Sequence, residues 1–236
     1  MNPLMMAAAE RRKLGRGLSS LLGRNLIAGN SDLGYYGVFT SSEVIRGDQL
    51  ASLVGVSQGA SIFADAGWLG FSLDGKRLLV AKKPIRHTLS WDHLNAAGVA
   101  LGKDVTIKNT TMKVRLLRGA AYSPARDNEP FAFDDDSDMT KGSEWNRTLY
   151  HVSKRIRSNG SLSTEGIATG DFAQFLEDEL GISGSANWRA NWTQEKLLNN
   201  SGKRIYRGNN IVSDVDGIES WQSGGLSWRP VLELIV

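Results

Sequence analysis

Cysteine is absent from this 236-residue chain. Its absence excludes disulfide frameworks, thiolate-held zinc, iron–sulfur clusters and thiol nucleophiles, so the fold must be held by its core or by partner chains. Histidine is scarce, with only His87, His93 and His151. None of the three stands in a metal-ligand or triad spacing, and each reads as structural or solvated. Walker-type loops, G-x-S-x-G and a G-x-G-x-x-G after a strand are also missing, which leaves no specific catalytic proposal and no cofactor. No run of about 18 apolar residues is available to span a bilayer. A strong charge surplus is missing too. Residues 1–30 hold Arg11, Arg12, Lys13, Arg16 and Arg24 against Glu10, while the rest of the chain carries 23 basic and 24 acidic groups. A body so near neutrality lacks the electrostatic footprint of a nucleic-acid-binding domain.

What is present is a chain with 41% apolar residues, 26 Gly and seven Trp, enough for a sizeable core. Residues 1–30 read as a basic N-terminal arm. Leu14, Leu18, Leu21 and Leu22 recur at helical spacing opposite Arg11, Arg12 and Arg16, which suits an assembly helix seated in a partner's groove better than a DNA contact or a membrane helix. Residues 13–23 also look like the opening of chromosome-partitioning ParB proteins, but no helix-turn-helix pattern follows. Residues 31–66 are rich in Gly, Ser and Ala and read as a linker or oligomerisation segment. They have too few large side chains to close a core, so Val44, Ile45, Leu50, Leu53, Val54, Ile62 and Phe63 predict cover from the body or from a neighbouring copy in a trimer or larger ring.

From Gly67 the punctuation is that of a folded body. Asp74-Gly75 between Phe71-Ser72-Leu73 and Arg77-Leu78-Leu79-Val80 predicts a hairpin, and Val105-Thr106-Ile107 with 112–117 predicts a second around Lys108-Asn109-Thr110-Thr111. Later strands are predicted at 204–207 and 230–235, with Glu233 facing water. Helices are predicted from Trp91 to about Leu101 behind Ser90, from Ser143 through Trp145, Leu149 and Val152, and from Thr169 or Asp171 through Phe172, Phe175 and Leu176. The class is α+β, an antiparallel sheet with short helices.

Asp134, Asp136 and Asp138 alternate as calcium ligands do. The match to a calcium loop ends where Gly and a bidentate acid would be needed, at Met139 and Trp145, so a solvated acidic loop is the better reading. The tryptophans read mainly as core anchors, with Trp188 and Trp192 as candidates for stacking on a glycan.

Five segments in order, Trp91-Asp92-His93-Leu94-Asn95-Ala96-Ala97-Gly98, Lys113-Val114-Arg115-Leu116-Leu117-Arg118-Gly119-Ala120, Ser143-Glu144-Trp145-Asn146, Arg204-Ile205-Tyr206-Arg207-Gly208 and Trp228-Arg229-Pro230-Val231-Leu232-Glu233-Leu234, resemble a family of tailed-bacteriophage virion structural proteins over residues 67–236. More distantly the pattern looks like the C-type-lectin-like fold of formylglycine-generating enzymes, whose site cysteines this chain lacks. The resemblance implies a C-type-lectin-like body behind an extended N-terminal arm. It implies a non-catalytic virion component of the tail, neck or fibre, assembled in the host cytoplasm, with other virion proteins as partners. The alternative reading is a host-attachment module that binds a receptor or glycan.

Overall fold

The computed structural model describes residues 23–128, 142–156, 162–163, 174–182 and 190–235. In chain order the elements are β1 (Ala28–Gly29), β2 (Leu33–Phe39), α1 (Gly47–Val54), β3 (Ala60–Ser61), β4 (Trp68–Leu73), β5 (Lys76–Ala81), β6 (Arg86–His87), α2 (Trp91–Ala96), β7 (Lys103–Ile107) and β8 (Thr110–Leu116). A π-helical turn (Asn146–Tyr150), β9 (Ser153–Ile156), β10 (Leu162–Ser163), β11 (Phe175–Leu176), β12 (Ala190–Lys196), β13 (Lys203–Arg207), β14 (Val215–Glu219), β15 (Leu226–Trp228) and β16 (Pro230–Leu234) follow. This is an α+β chain dominated by antiparallel and mixed sheet, with few short helices.

The larger sheet has seven antiparallel strands in the order β1-β2-β4-β5-β16-β8-β7. Its central strands are apolar on both faces because both faces are covered. Strand alternation sends Trp68, Leu79, Ala81 and Leu232 to one core, shared with α1, α2 and the second sheet, and Leu69, Phe71, Leu78, Val80 and Val231 to another, closed by Trp145, Leu149, Leu180 and Val212. The second sheet runs β14-β13-β12-β15-β6-β3 and is antiparallel except where β12 lies parallel to β15. A small third sheet joins β10, β9 and β11.

The local expectations divide cleanly. The β4–β5 hairpin turns at Asp74-Gly75, both at positive φ, as the Asp-Gly pair requires. The β7–β8 turn is tighter than expected: Ile107 pairs with Thr110, and Lys108 and Asn109 alone make the reversal at φ 48° and 65°. Ser90 caps α2, its Oγ accepting the His93 N–H at 3.2 Å, but the helix stops at Ala96 rather than near Leu101 because the chain turns at Gly98. Ser143 Oγ accepts the Asn146 N–H at 3.2 Å and opens the helical turn that buries Trp145, Leu149 and Val152.

Two expectations are corrected. Phe175 and Leu176 form β11, paired parallel to Ser153 and Lys154, so the described part of the third expected helix is a strand that ends in a turn. Residues 31–66 are not a loose linker. Strand β2 pairs with β4 from Leu33↔Leu73 to Phe39↔Trp68, and Tyr35, Phe39, Val44, Leu50 and Val54 are buried in the chain's own cores. Close approach explains glycines on both strands: a Cβ on Gly37 of β2 would lie 2.8 Å from the Ile27 side chain, and one on Gly70 of β4 would lie 2.4 Å from the Phe39 ring. Each buried Leu, Val or Phe contributes roughly 1.5–3 kcal/mol, so a neighbouring copy is not needed to cover this span. Val38, Leu53 and Phe63 are its exposed large apolar groups, at 38%, 48% and 41%.

The near edge of the arm also belongs to the body. Arg24 lies over the Phe39 ring at 3.9 Å and pairs with Glu43 at 2.6 Å, and β1 pairs with β2. The arm candidates Arg11, Arg12, Leu14, Arg16, Leu18, Leu21 and Leu22 lie outside the described residues.

Candidate functional site

Polar residues from four of the five conspicuous segments meet in one buried network. From β8, Arg115 donates two bonds to Glu144 (2.6 and 2.8 Å) and one from Nε to Glu233 on β16 (2.8 Å); Lys76 completes the cluster on Glu233 at 3.0 Å. Burial alone would lower the Arg115 pKa, but the two carboxylates outweigh it and hold the group above its usual range. Glu233 therefore does not face water as expected; its side chain is only 16% exposed, and its neighbouring cations hold it ionised against the penalty of burial.

Beneath this cluster, Arg207 of β13 donates to the Gly119 carbonyl and to Asn146 Oδ1, each at 2.7 Å. Arg229 donates to Asn191 Oδ1 at 3.1 Å and to the carbonyls of Ala81, Lys82 and Leu180. Both guanidiniums sit about 6 Å from the Trp145 ring centre, at 5.9 and 5.8 Å. Burial pushes the Arg229 pKa down to about 9, which leaves it charged at neutral pH. The segment Arg207-Gly208 needs its glycine: Gly208 has φ +69°, and a Cβ there would lie 2.7 Å from the Trp145 ring.

Tryptophan indoles pin the same region. Trp145 donates to the Val212 carbonyl at 2.7 Å, Trp91 to Thr193 at 2.9 Å, Trp192 to Leu89 at 2.8 Å and Trp68 to Ile45 at 2.9 Å. Trp192 is 1% exposed, so it cannot stack on a glycan while the body is folded. Trp188 and the carboxylates Asp134, Asp136 and Asp138 lie outside the described residues. Among the described residues the exposed indole is instead Trp221, at 68%. Of the histidines, His93 Nε2 accepts the backbone N–H groups of Ser57 and Gln58, His87 bonds Thr88 Oγ1, and His151 is buried. Among the described residues no group of three or more His, Asp or Glu is placed to hold a metal ion.

Two cavities open beside the network. One, of about 370 Å³, is lined by the Arg115–Glu144–Glu233 cluster and by Arg147, which holds Asp74 in a two-bond pair at 2.7 Å; that pair keeps the Asp74 carboxyl below its usual range. The other, of about 600 Å³, lies between α2, the stretch 118–123 and strands β12 and β13, and shares Leu101, Arg118 and Gln194 with the first. Its floor carries Arg204 at 4.1 Å over the Trp91 ring, with Lys196 opposite Arg204 across the β12–β13 ladder. Its one carboxylate, Glu195, accepts the Gly119 N–H at 2.8 Å; burial pushes its pKa up to about 7, against the pull of that bond and of Arg118. Sequence reasoning missed this cleft because its cations come from three separated segments that only the fold brings together.

No family model matches the chain, and no curated protein and no solved structure matches it.

Proposed function

We propose that the chain is a non-catalytic structural protein of a tailed-bacteriophage virion, part of the tail, neck or fibre apparatus, with a C-type-lectin-like body attached to other virion proteins through its N-terminal arm. One observation carries the reading. Conspicuous polar residues from four of the five segments that resemble that family, Arg115, Glu144, Asn146, Arg207, Arg229 and Glu233, are spent on one another and on backbone carbonyls around Trp145. Such a network fixes the relative placement of strands that lie far apart in sequence, which is a scaffold's requirement.

The finer fold assignment draws support from order. Helix α2 carries Trp91-Asp92 ahead of a strand, and Arg204 to Gly208 precede the closing segment that holds Arg229, as the C-type-lectin-like resemblance requires. The rival host-attachment reading loses Trp192, which is inside the core.

The arm is tested by deleting residues 1–22, which spares Arg24 and β1. The expected result is a soluble body that melts as the full chain does and is missing from assembled particles. Particles that take up the shortened protein at the full chain's copy number would overturn the attachment role of the arm.

A further inference from the structure

The 600 Å³ cleft falls within the roughly 300–1,000 Å³ that ligand sites occupy, and its charges are not balanced from within. Lys196 and Arg204 are directly opposed on neighbouring antiparallel strands, an arrangement of like charges that destabilises a ladder unless something negative lies between them. Among the described residues Lys196 has no hydrogen bond or ion pair. Arg204 spends its bonds on the carbonyls of Ser201 and Lys203, and its buried Nε has no partner. Burial holds the Arg204 pKa below its usual range, with only the more distant Asp92 opposing. Arg118, half exposed, is the third cation; it donates to the Ala121 carbonyl at 2.9 Å and makes only a long ion pair with Glu195, 3.8 Å from Nε. In the adjoining smaller cavity Arg115 and Arg147 are matched to carboxylates at 2.6–2.8 Å, while Arg118, which lines both, is not.

The cleft's other linings are of two kinds. Asn95 and Ser123 line it with side chains that make no hydrogen bond among the described residues, and the Asn95 amide can donate to one backbone group and accept from another. Leu101 and Tyr122 stand on the rim at 62% and 40% exposure. A surplus of cations over the single carboxylate, amide and hydroxyl groups that suit peptide backbone, and apolar rim positions together describe an extended peptide that carries both carboxylates and apolar side chains.

We propose that this cleft binds an acidic peptide segment of a partner protein, with carboxylates on Arg118, Lys196 and Arg204 and an apolar side chain against Leu101 and Tyr122. A nucleic-acid backbone fits less well, because it would need a strongly basic surface around the cleft, whereas the chain beyond residue 30 is close to neutral. The inference goes beyond the virion reading and does not rest on it, since it follows from the cleft's chemistry alone.

The test titrates the full-length protein into a fluorescein-labelled peptide of alternating Glu and Leu and reads anisotropy, with Ser–Leu and Lys–Leu peptides beside it. The Glu–Leu peptide is expected to bind and the other two to bind weakly or not at all. The double variant Arg118→Gln/Lys196→Gln, at two exposed positions, is expected to lose about tenfold or more in affinity, while Arg46→Gln, a cation that lines neither cavity, changes little. If circular dichroism shows the double variant misfolded, Lys196→Gln alone takes its place. Binding that is equal for all three peptides, or unchanged in the cleft variants, overturns the proposal. So does tighter binding of single-stranded DNA with the same dependence on Arg118 and Lys196, which would make the cleft a polyphosphate site.

Discussion

Strand β13 holds two arginines in opposite circumstances. Arg207 is fully buried, hydrogen-bonded to Gly119 and Asn146 and packed near Trp145, whereas Arg204, three residues earlier on the other face, lines an open cleft with a cation opposite it. The contrast extends to their surroundings. On the Arg207 side the fold supplies an acceptor or a carboxylate for its conspicuous cations; on the Arg204 side it gathers three cations around one carboxylate. Burying polar groups is tolerable only when they are bonded, while a cation at a water-filled cleft can stay unpaired at little cost. The first arrangement is what holds a structure together, and the second is what a structure presents to something else.

This contrast can be broken by removing its centre. Trp145→Ala takes out the ring shared by Arg207 and Arg229 and leaves a large void in a region where Trp145, Leu149 and Val152 are all fully buried. A loss of about 3–5 kcal/mol is expected in urea unfolding, and a loss below about 1 kcal/mol would show that the network holds without its ring.

Glu195 sits at the boundary between the two regions. Its pKa is raised in the folded state from the ordinary 4.5 to about 7, so its contribution to stability is full below about 4.5 and is lost as pH rises through about 7. The shift corresponds to a loss on the order of 3 kcal/mol across that window. Glu195→Gln removes the titration, and its stability relative to the wild type is expected to improve steadily between pH 5 and pH 8 in thermal melts. A difference between the two proteins that does not vary with pH would place the carboxylate in a wetter setting than its burial indicates.

The smallest effect sharpens the contrast most, because its sign is unusual. Reversing one charge of the exposed pair, Lys196→Glu, replaces repulsion from Arg204 with attraction and is expected to raise stability by about 0.2–1 kcal/mol. Destabilisation in the same chemical denaturation measurement would mean that Lys196 is already compensated in the unliganded protein.

How far the sequence disclosed this arrangement depended on the range of the interactions involved. The β4–β5 hairpin was readable because Asp74 and Gly75 encode its turn in two residues. The β7–β8 turn was placed but drawn too wide, since Lys108 and Asn109 adopt positive φ without glycine. Strand β2 escaped notice because its glycines resemble those of a linker, and only the fold reveals that Gly34 and Gly37 admit the Leu26 and Ile27 side chains. Phe172, Phe175 and Leu176 have helical spacing, yet β11 forms because β9 offers it a parallel edge. Arg115 and Arg118 look alike on the page; Glu144 and Glu233, distant in sequence, lock Arg115 in a buried pair, while Arg118 keeps the Ala121 carbonyl and a long pair to Glu195.

The seating of β16 between β5 and β8 governs how the chain must fold. The β4–β5 and β7–β8 hairpins join neighbours and can form early, but no strand pairing links them until β16 enters between them, in register with Val80 on one side and Arg115 on the other. The closing contacts thus span more than a hundred residues of sequence, and the entropy of that loop must be overcome before they give anything back. A slow, highly cooperative last step follows, in which two ready-made halves remain separate until a single strand clasps them.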